Sequence, residues 1–407
     1  MSNRRIASLV RETDPATRLA REMAAPLTAP PEPEVLAEAA RALQMIEQAQ
    51  RMPGVMSTVQ DPFASLLQTH LAKFGPASPT ASAQALEVKY DERDVIGWAA
   101  SVVFDWWKRI TKFKWVEPGT LAEPFPNTAR VAVFGDWATG LYGAPIVSQS
   151  IVDDSAGHQL VLHLGDTYYS GDDDEVADGL IAFWPRVTGA THRALNGNHE
   201  MYTGGKAYFN AIGSEFGQRS SYFALQNDHW ILAGLDSAYS DHDLHGNQAA
   251  WITSLLAQAG GRRLILFSHH QPYSLLDTQG PKLVAKLSNQ LKNRQIFAWY
   301  WGHEHRCVLY DAHPSWGLLG RCIGHGGFPY FRDNLPGAGG SGTGFLHVDG
   351  RNGVPGADVL DGPNQFVKDH ENQYGPHGFV SLEFDGPHVN EVVRDATGTV
   401  LRSTQLA

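Results

Sequence analysis

Five short clusters in this chain could do metal chemistry: Asp136; Asp166 with Tyr169; Asn198 with His199; His269; and His303 with His305. Each ends a short apolar or mixed run: "ARVAVFGD", "QLVLHLGD", "THRALNGNHE", "RRLILFSHH" and "IFAWYWGHEH". Taken singly they have ordinary explanations. A Gly-Asp at a strand end makes a turn, and a lone histidine is commonly a satisfied surface or core residue. Five in succession, all offering oxygen or imidazole nitrogen, form a constellation instead. Carboxylate, amide oxygen, phenolate and imidazole together match iron, zinc or manganese, and no soft ligand set accompanies them. A carboxylate can bridge two cations, and two cations about 3.5–4 Å apart activate water while clamping a transferring phosphoryl group.

The elements that must position these groups follow from the same runs. Apolar runs buried on both faces predict interior strands of a layered α/β architecture. "GNQAAWITSLLAQAG" and "PKLVAKLSNQLKNR" predict helices between some of them. In such sheets ligands bind outside the carboxyl ends of the strands, where the polar clusters fall. "HGFVSLEFDGPHVNEVVRDATGTVLRST" alternates and turns like antiparallel strands, after the long Gly-rich loop "GHGGFPYFRDNLPGAGGSGTG". Residues 1–116 lack strand-like runs and read as a helical N-terminal extension, with "LTAPPEPEVLAEAARALQMIEQAQRM" its clearest helix. Residues 117–128, around "EPGTLAEPFPN", read as a linker, and 129–407 as the chemical domain.

Composition narrows the classes. With 407 residues, 43 % hydrophobic and 18 % charged, the chain is globular and can build a large core. Its net charge of −11 disfavours a general attraction to nucleic acid or anionic lipid. The 18 histidines point to metal ligation, whereas two cysteines, Cys307 and Cys322, make neither a disulfide framework nor a thiolate zinc site. The run from Val95 to Trp115 breaks at Asp105 and is too short to span a bilayer, so no transmembrane segment is expected. "MSNRRIASLVRETDPATRLAREM" has no apolar signal core, which predicts a cytoplasmic protein. No feature of the sequence fixes an oligomeric state.

The order Gly-Asp, Gly-Asp-x-x-Tyr, Gly-Asn-His-Glu, His, Gly-His-x-His resembles the calcineurin-like metallophosphoesterase superfamily, and within it the purple acid phosphatase branch. The matched pieces are Gly135-Asp136, Gly165 to Tyr169, Gly197 to Glu200, Ser268 to His270 and Gly302 to His305, within residues 129 to 310. The resemblance implies a four-layer αββα sandwich and two metal ions. The first ion would take Asp136, Asp166, Tyr169 and His305; the second would take Asp166, Asn198, His269 and His303. Ferric iron is implied at the tyrosine site, with Fe(II), Zn(II) or Mn(II) beside it. His199 would be no ligand but the catalytic group, hydrogen-bonding the phosphate or protonating the leaving oxygen. The implied activity is hydrolysis of a phosphate ester, most simply a monoester, by in-line attack of a metal-bound hydroxide.

The sequence departs from the superfamily pattern in places that matter. Most members read Asp-x-His in the first motif, but Asp136 is followed by Trp137 and Ala138. In the purple branch the tyrosine of the second motif takes the missing place; Tyr169 has that spacing and Tyr168 is skipped. "SHHQP" offers two adjacent histidines. His269 is favoured as ligand because it follows the small residue directly after the strand, leaving His270 beside the substrate. His325, in the Gly-rich loop, is a second candidate for the substrate pocket. A phosphodiesterase acting on nucleotides or lipid headgroups is the alternative within the fold, and a non-catalytic binding module the alternative outside catalysis.

Overall fold

A computed structural model describes residues 33–50, 55–74, 103–104, 107–332 and 343–407. The chain forms two compact units that divide between Thr111 and Lys112, five residues before the expected boundary at 116.

In the first unit, helix α1 (Pro33–Ala49) buries Val35, Ala39, Ala42, Leu43 and Ile46, one face at helical spacing. Helix α2 (Pro62–Phe74) begins where the Asp61 carboxylate accepts the Ala64 backbone N–H at 2.9 Å. Phe63, Leu66 and Leu67 of α2 complete a small core with α1, Val103 and Phe104. Much of the run from Val95 to Trp115 lies outside the described residues; among those described, no helix is long and apolar enough to cross a membrane.

The second unit is a sandwich of two sheets. The six-stranded sheet orders its strands β15-β14-β13-β2-β3-β4, with β2 (Thr128–Phe134), β3 (Leu160–His163) and β4 (Thr191–Ala194) parallel. The nine-stranded sheet has the order β1-β5-β6-β7-β8-β10-β9-β12-β11, with β6 (Trp230–Gly234), β7 (Arg263–Ser268), β8 (Ile296–Trp301) and β10 (Leu319–Ile323) parallel, and β9 (Cys307–Ala312), β12 (Ala357–Asp361) and β11 (Gly344–Val348) antiparallel at one edge. The expected antiparallel ending is β13 (Gly378–Asp385), β14 (His388–Asp395) and β15 (Val400–Gln405). Inside the stretch read as a linker, β1 (Glu123–Pro124) pairs with β5 (Phe223–Gln226).

Alternation along each strand produces the layers. Val131 and Val133 of β2 and Leu160 and Leu162 of β3 face Leu232, Ile265, Phe267 and Tyr300 of the other sheet. Ala132, Phe134 and Val161 face outward, under helices α3 (Ala144–Asp153) and α4 (Lys206–Phe216). On the far side, Ile231, Leu264, Leu266 and Trp299 pack beneath α5 (Gln248–Ala257), α6 (Pro281–Lys286) and α7 (Ser288–Lys292). Helix, sheet, sheet, helix: this is the αββα sandwich that the motif order implied. Burying each large aliphatic or aromatic side chain in these layers contributes about 1.5–3 kcal/mol.

Candidate metal centre

The polar groups gather at the carboxyl ends of the parallel strands, on loops that leave the helical and extended regions. Asp136 (φ 53°), Asp166 (φ 74°), His303 (φ 69°) and His305 (φ 53°) all have left-handed backbone. Non-glycine residues adopt it rarely, and it persists where the surroundings over-determine it. The turns also need glycine. Gly165 stands at φ 111°, and a side chain at Gly197 would collide with the Asp166 carboxylate. Glu200 ties two motif loops together, accepting the Gly197 N–H at 2.8 Å and the Thr167 hydroxyl at 2.9 Å. Burial and the nearby Asp166 charge push its carboxyl up to about 8.

One group of donors is rich in oxygen. Asp136, Asp166 and His305 each bring a ligand atom within 4.8 Å of the others. The phenol among them belongs to Tyr168: its hydroxyl lies 3.0 Å from Asp136 Oδ1, 3.1 Å from Asp166 Oδ2 and 2.8 Å from His305 Nε2. The spacing predicts Tyr169 at this place; in this structure the hydroxyl there is that of Tyr168. Tyr169 offers its backbone instead: its carbonyl accepts from His199 Nδ1 and its N–H donates to Glu175 Oε1 at 2.7 Å. Burial, with Tyr142 and Glu175 as its ionisable neighbours, pushes the Tyr169 phenol up. The acidic loop Ser170–Glu175 holds this backbone in place through a capping box between Asp172 and Glu175.

The second group is richer in nitrogen. Asp166, His269 and His303 converge within the same 4.8 Å limit. His269 Nε2 lies 3.0 Å from Asn198 Oδ1, 3.1 Å from His303 Nδ1 and 3.4 Å from Asp166 Oδ1. The structure therefore brings together Asp136, Asp166, Asn198, His269, His303 and His305 and adds Tyr168.

Proton accounting shows what this arrangement lacks. His269 Nδ1 lies 3.0 Å from the Leu164 carbonyl, which can only accept, so Nδ1 carries the ring proton. Burial pushes the His269 imidazole down to about 3, so it stays neutral and Nε2 presents a bare lone pair. That lone pair faces two more acceptors, Asn198 Oδ1 and Asp166 Oδ1. Around Tyr168 the phenol proton meets oxygens of two carboxylates, Asp136 and Asp166, beside a ring nitrogen of His305. Burial and the Asp166 charge also push Asp136 well above the usual carboxylate range. Convergent lone pairs with too few protons fit cations, and the donor types fit iron, zinc or manganese.

The remaining candidates fall around this centre. His199 is buried, its ring 4.8 Å from that of Tyr168, with Nε2 3.9 Å from Asp166 Oδ2. His270 is fully buried, pairs through Nδ1 with Ser237 Oγ at 3.1 Å, and lies against His303 rather than on an open wall. His325 is fully buried, with neither ring nitrogen hydrogen-bonded, and its carbonyl accepts from His377 Nδ1. Sequence reasoning missed the place of Tyr168 and overlooked His242, whose only signal was a histidine among turn residues in "SAYSDHDLHG".

The profile of the calcineurin-like phosphoesterase family matches residues 129–307, which hold all five motifs. That stretch carries a calcineurin-like phosphoesterase domain, in keeping with the metallophosphoesterase superfamily. Among solved structures, the purple acid phosphatase PPD1 from yellow lupin (Lupinus luteus) seeds aligns at TM-score 0.50 and 16 % identity, covering 70 % of this chain. The chain spans 55 % of the lupin protein's length. GAP50 of Plasmodium, described as the anchor in the inner membrane complex, aligns at TM-score 0.46 and 11 % identity over 68 % of this chain and 88 % of its own. A dimetal phosphatase from Danio rerio gives 0.42 and 12 % over 69 % and 98 %. At these identities the likeness is one of fold. No curated protein matches the chain. For a metallophosphoesterase the carboxylate-imidazole cluster is the expected place for chemistry, and the loops after β2, β3, β4, β7 and β8 supply all of it.

Proposed function

We propose that the protein is a dinuclear metal-dependent phosphomonoesterase of the purple acid phosphatase type. The observation that carries this reading is the convergence of proton-poor acceptors on two adjoining positions with Asp166 common to both. Asp136, Asp166, His305 and Tyr168 would hold the first cation, ferric iron; Asp166, Asn198, His269 and His303 would hold the second, Fe(II), Zn(II) or Mn(II). Bound there, the pair would polarise the phosphoryl oxygens and acidify a water for in-line attack. Preference for a monoester follows from the first motif. Ala138 leaves no imidazole there, and the Tyr168 N–H donates to the Ala138 carbonyl at 3.3 Å, which brings the phenol loop into that space.

The protein's own groups complete the chemistry. His199 Nδ1 donates to the Tyr169 carbonyl, which fixes the ring and leaves Nε2, beside Asp166, for the substrate. When Nε2 is protonated, His199 can hydrogen-bond the phosphate or give its proton to the departing alkoxide. The test is metal-stripped protein assayed on an aryl phosphate monoester and the corresponding diester, with iron plus zinc or manganese restored. Metal-dependent turnover favouring the monoester is expected. A diester preference would move the protein to the phosphodiesterases, and no turnover with two metals bound would make it a binding module.

A further inference from the structure

Beside these two positions lies a third convergence of donors. His242, on the loop between β6 and α5, has left-handed backbone at φ 54°. Its ring lies 3.8 Å from that of His270, and His303 is 5.2 Å from the first and 4.6 Å from the second, between centroids. One ligand nitrogen from each of the three is within 4.8 Å of the other two. His270 is fully buried, yet its Nε2 has no hydrogen-bond partner. Leaving such a nitrogen unpaired costs about 1–3 kcal/mol. The Asp241 carboxylate stands 3.8 Å from this nitrogen and 2.9 Å from His242 Nδ1. A neutral imidazole carries one N–H and one lone pair, so each of the three rings can offer a cation one nitrogen.

We propose that His242, His270 and His303 form a zinc-preferring site that competes with the second metal position for His303. A neutral imidazole has one ring lone pair to give a metal, so His303 serves only one of the two sites at a time. The second position mixes nitrogen with the oxygens of Asp166 and Asn198, whereas the third is built from imidazole alone, with Asp241 at its rim. Imidazole sets suit zinc, and carboxylate and carbonyl oxygens suit manganese. Zinc takes four ligands, with Zn–N of about 2.0–2.1 Å, so modest closure of the three rings plus Asp241 or a water would complete the site. His303 turned toward His242 no longer completes the second position. This consequence for catalysis rests on the dinuclear reading above; the site itself rests only on the three side chains.

Cobalt(II) is the probe, because four-coordinate, nitrogen-rich cobalt absorbs visible light far more strongly than six-coordinate, oxygen-rich cobalt. Metal-stripped full-length protein titrated with cobalt should develop an intense visible band that zinc displaces. His242→Ala should lose that band and weaken zinc binding by about 10–100-fold. His242→Gln should do the same, which guards against a defect peculiar to the smaller side chain. Asn198→Ala, which removes a donor from the second position only, should keep the band. A wild-type protein without the band, or a band that survives both His242 variants, overturns the proposal. So does a band that vanishes with Asn198 while persisting without His242. Inactivity of every metal form towards phosphate esters would count against the proposed function and leave the cobalt result standing.

Discussion

The two sheets meet at the site with different chemistry. Strands β2, β3 and β4 of the six-stranded sheet lead into Asp136, Asp166 and Asn198, which are oxygen donors. Strands β7 and β8 of the nine-stranded sheet lead into His269, His303 and His305, which are nitrogen donors. One sheet supplies negative charge and the other neutral lone pairs. Neither half is comfortable alone: Asp136 and Asp166 repel, and the His269 imidazole is buried and neutral with its Nε2 turned to oxygen acceptors. Cross-sheet bonds register the halves, with the His303 N–H donating to Asp136 Oδ2 at 2.8 Å and His269 Nδ1 to the Leu164 carbonyl at 3.0 Å. The centre is a seam, and its integrity depends on how the sheets are held.

The largest effect should come from the one residue on which both metal positions depend. Asp166→Asn removes a shared negative charge, so metal content should fall at both positions. Turnover should drop beyond the roughly 10²–10³-fold that loss of one positioned donor costs. Elemental analysis beside kinetics checks this; two retained metals with near-normal turnover would break the idea that the oxygen side supplies the bridge. His199→Ala should lower turnover by about 10²–10⁴-fold with both metals retained, because the imidazole stands beside the converging donors rather than among them and the backbone N–H to Asp166 Oδ1 survives the substitution. Loss of metal in that variant would make His199 a ligand.

A third substitution breaks the seam itself, far from the donors. Arg321 on β10 pairs with Glu391 on β14 at 2.9 Å, and the Tyr300 hydroxyl of β8 donates to the same carboxylate at 2.5 Å. Both charged side chains are almost fully buried between the sheets. Glu391→Gln leaves the guanidinium there without its counter-charge and should destabilise by about 3–5 kcal/mol. Denaturant unfolding measures it. A loss below about 1 kcal/mol would show that the sheets are registered by apolar packing alone.

Much of this contrast was legible in the sequence, because short apolar or mixed runs that stop at Gly-Asp, Gly-Asn, Ser-His or Gly-His announce both the strand and the end at which its polar group lies. Asp136, Asp166, Asn198, His269, His303 and His305 were all found this way. Sheet membership was not, since pairing between distant strands depends on tertiary packing rather than on local pattern. His242 escaped for a related reason: its neighbours in space, His270 and His303, lie 28 and 61 residues away. Spacing pointed to Tyr169 while the structure sets the Tyr168 hydroxyl among the carboxylates, because spacing counts residues whereas the backbone decides which of two adjacent side chains points inward.

That last point gives the finest test, one that separates neighbours within a single loop. A ferric ion acidifies a phenol whose ordinary pKa is near 10, and the resulting phenolate absorbs visible light by charge transfer. Protein loaded with iron should therefore be pink to violet. Tyr168, with its hydroxyl against Asp136, Asp166 and His305, should carry the colour, so Tyr168→Phe should abolish it. Loss of one donor should weaken iron binding by about 10–100-fold, the scale seen when a partner of a metal ligand is removed. Tyr169→Phe should keep the colour, because the hydroxyl that meets Asp136, Asp166 and His305 is that of Tyr168 and the backbone carbonyl that orients His199 is preserved. Absorption spectra of the two variants at equal iron content decide it. Colour lost with Tyr169 and kept without Tyr168 would restore the family spacing and require the loop from Asp166 to Ser170 to turn the other phenol inward when metal binds. Colourless wild type with iron bound would remove phenolate ligation altogether and leave the oxygen side of the seam to its two carboxylates.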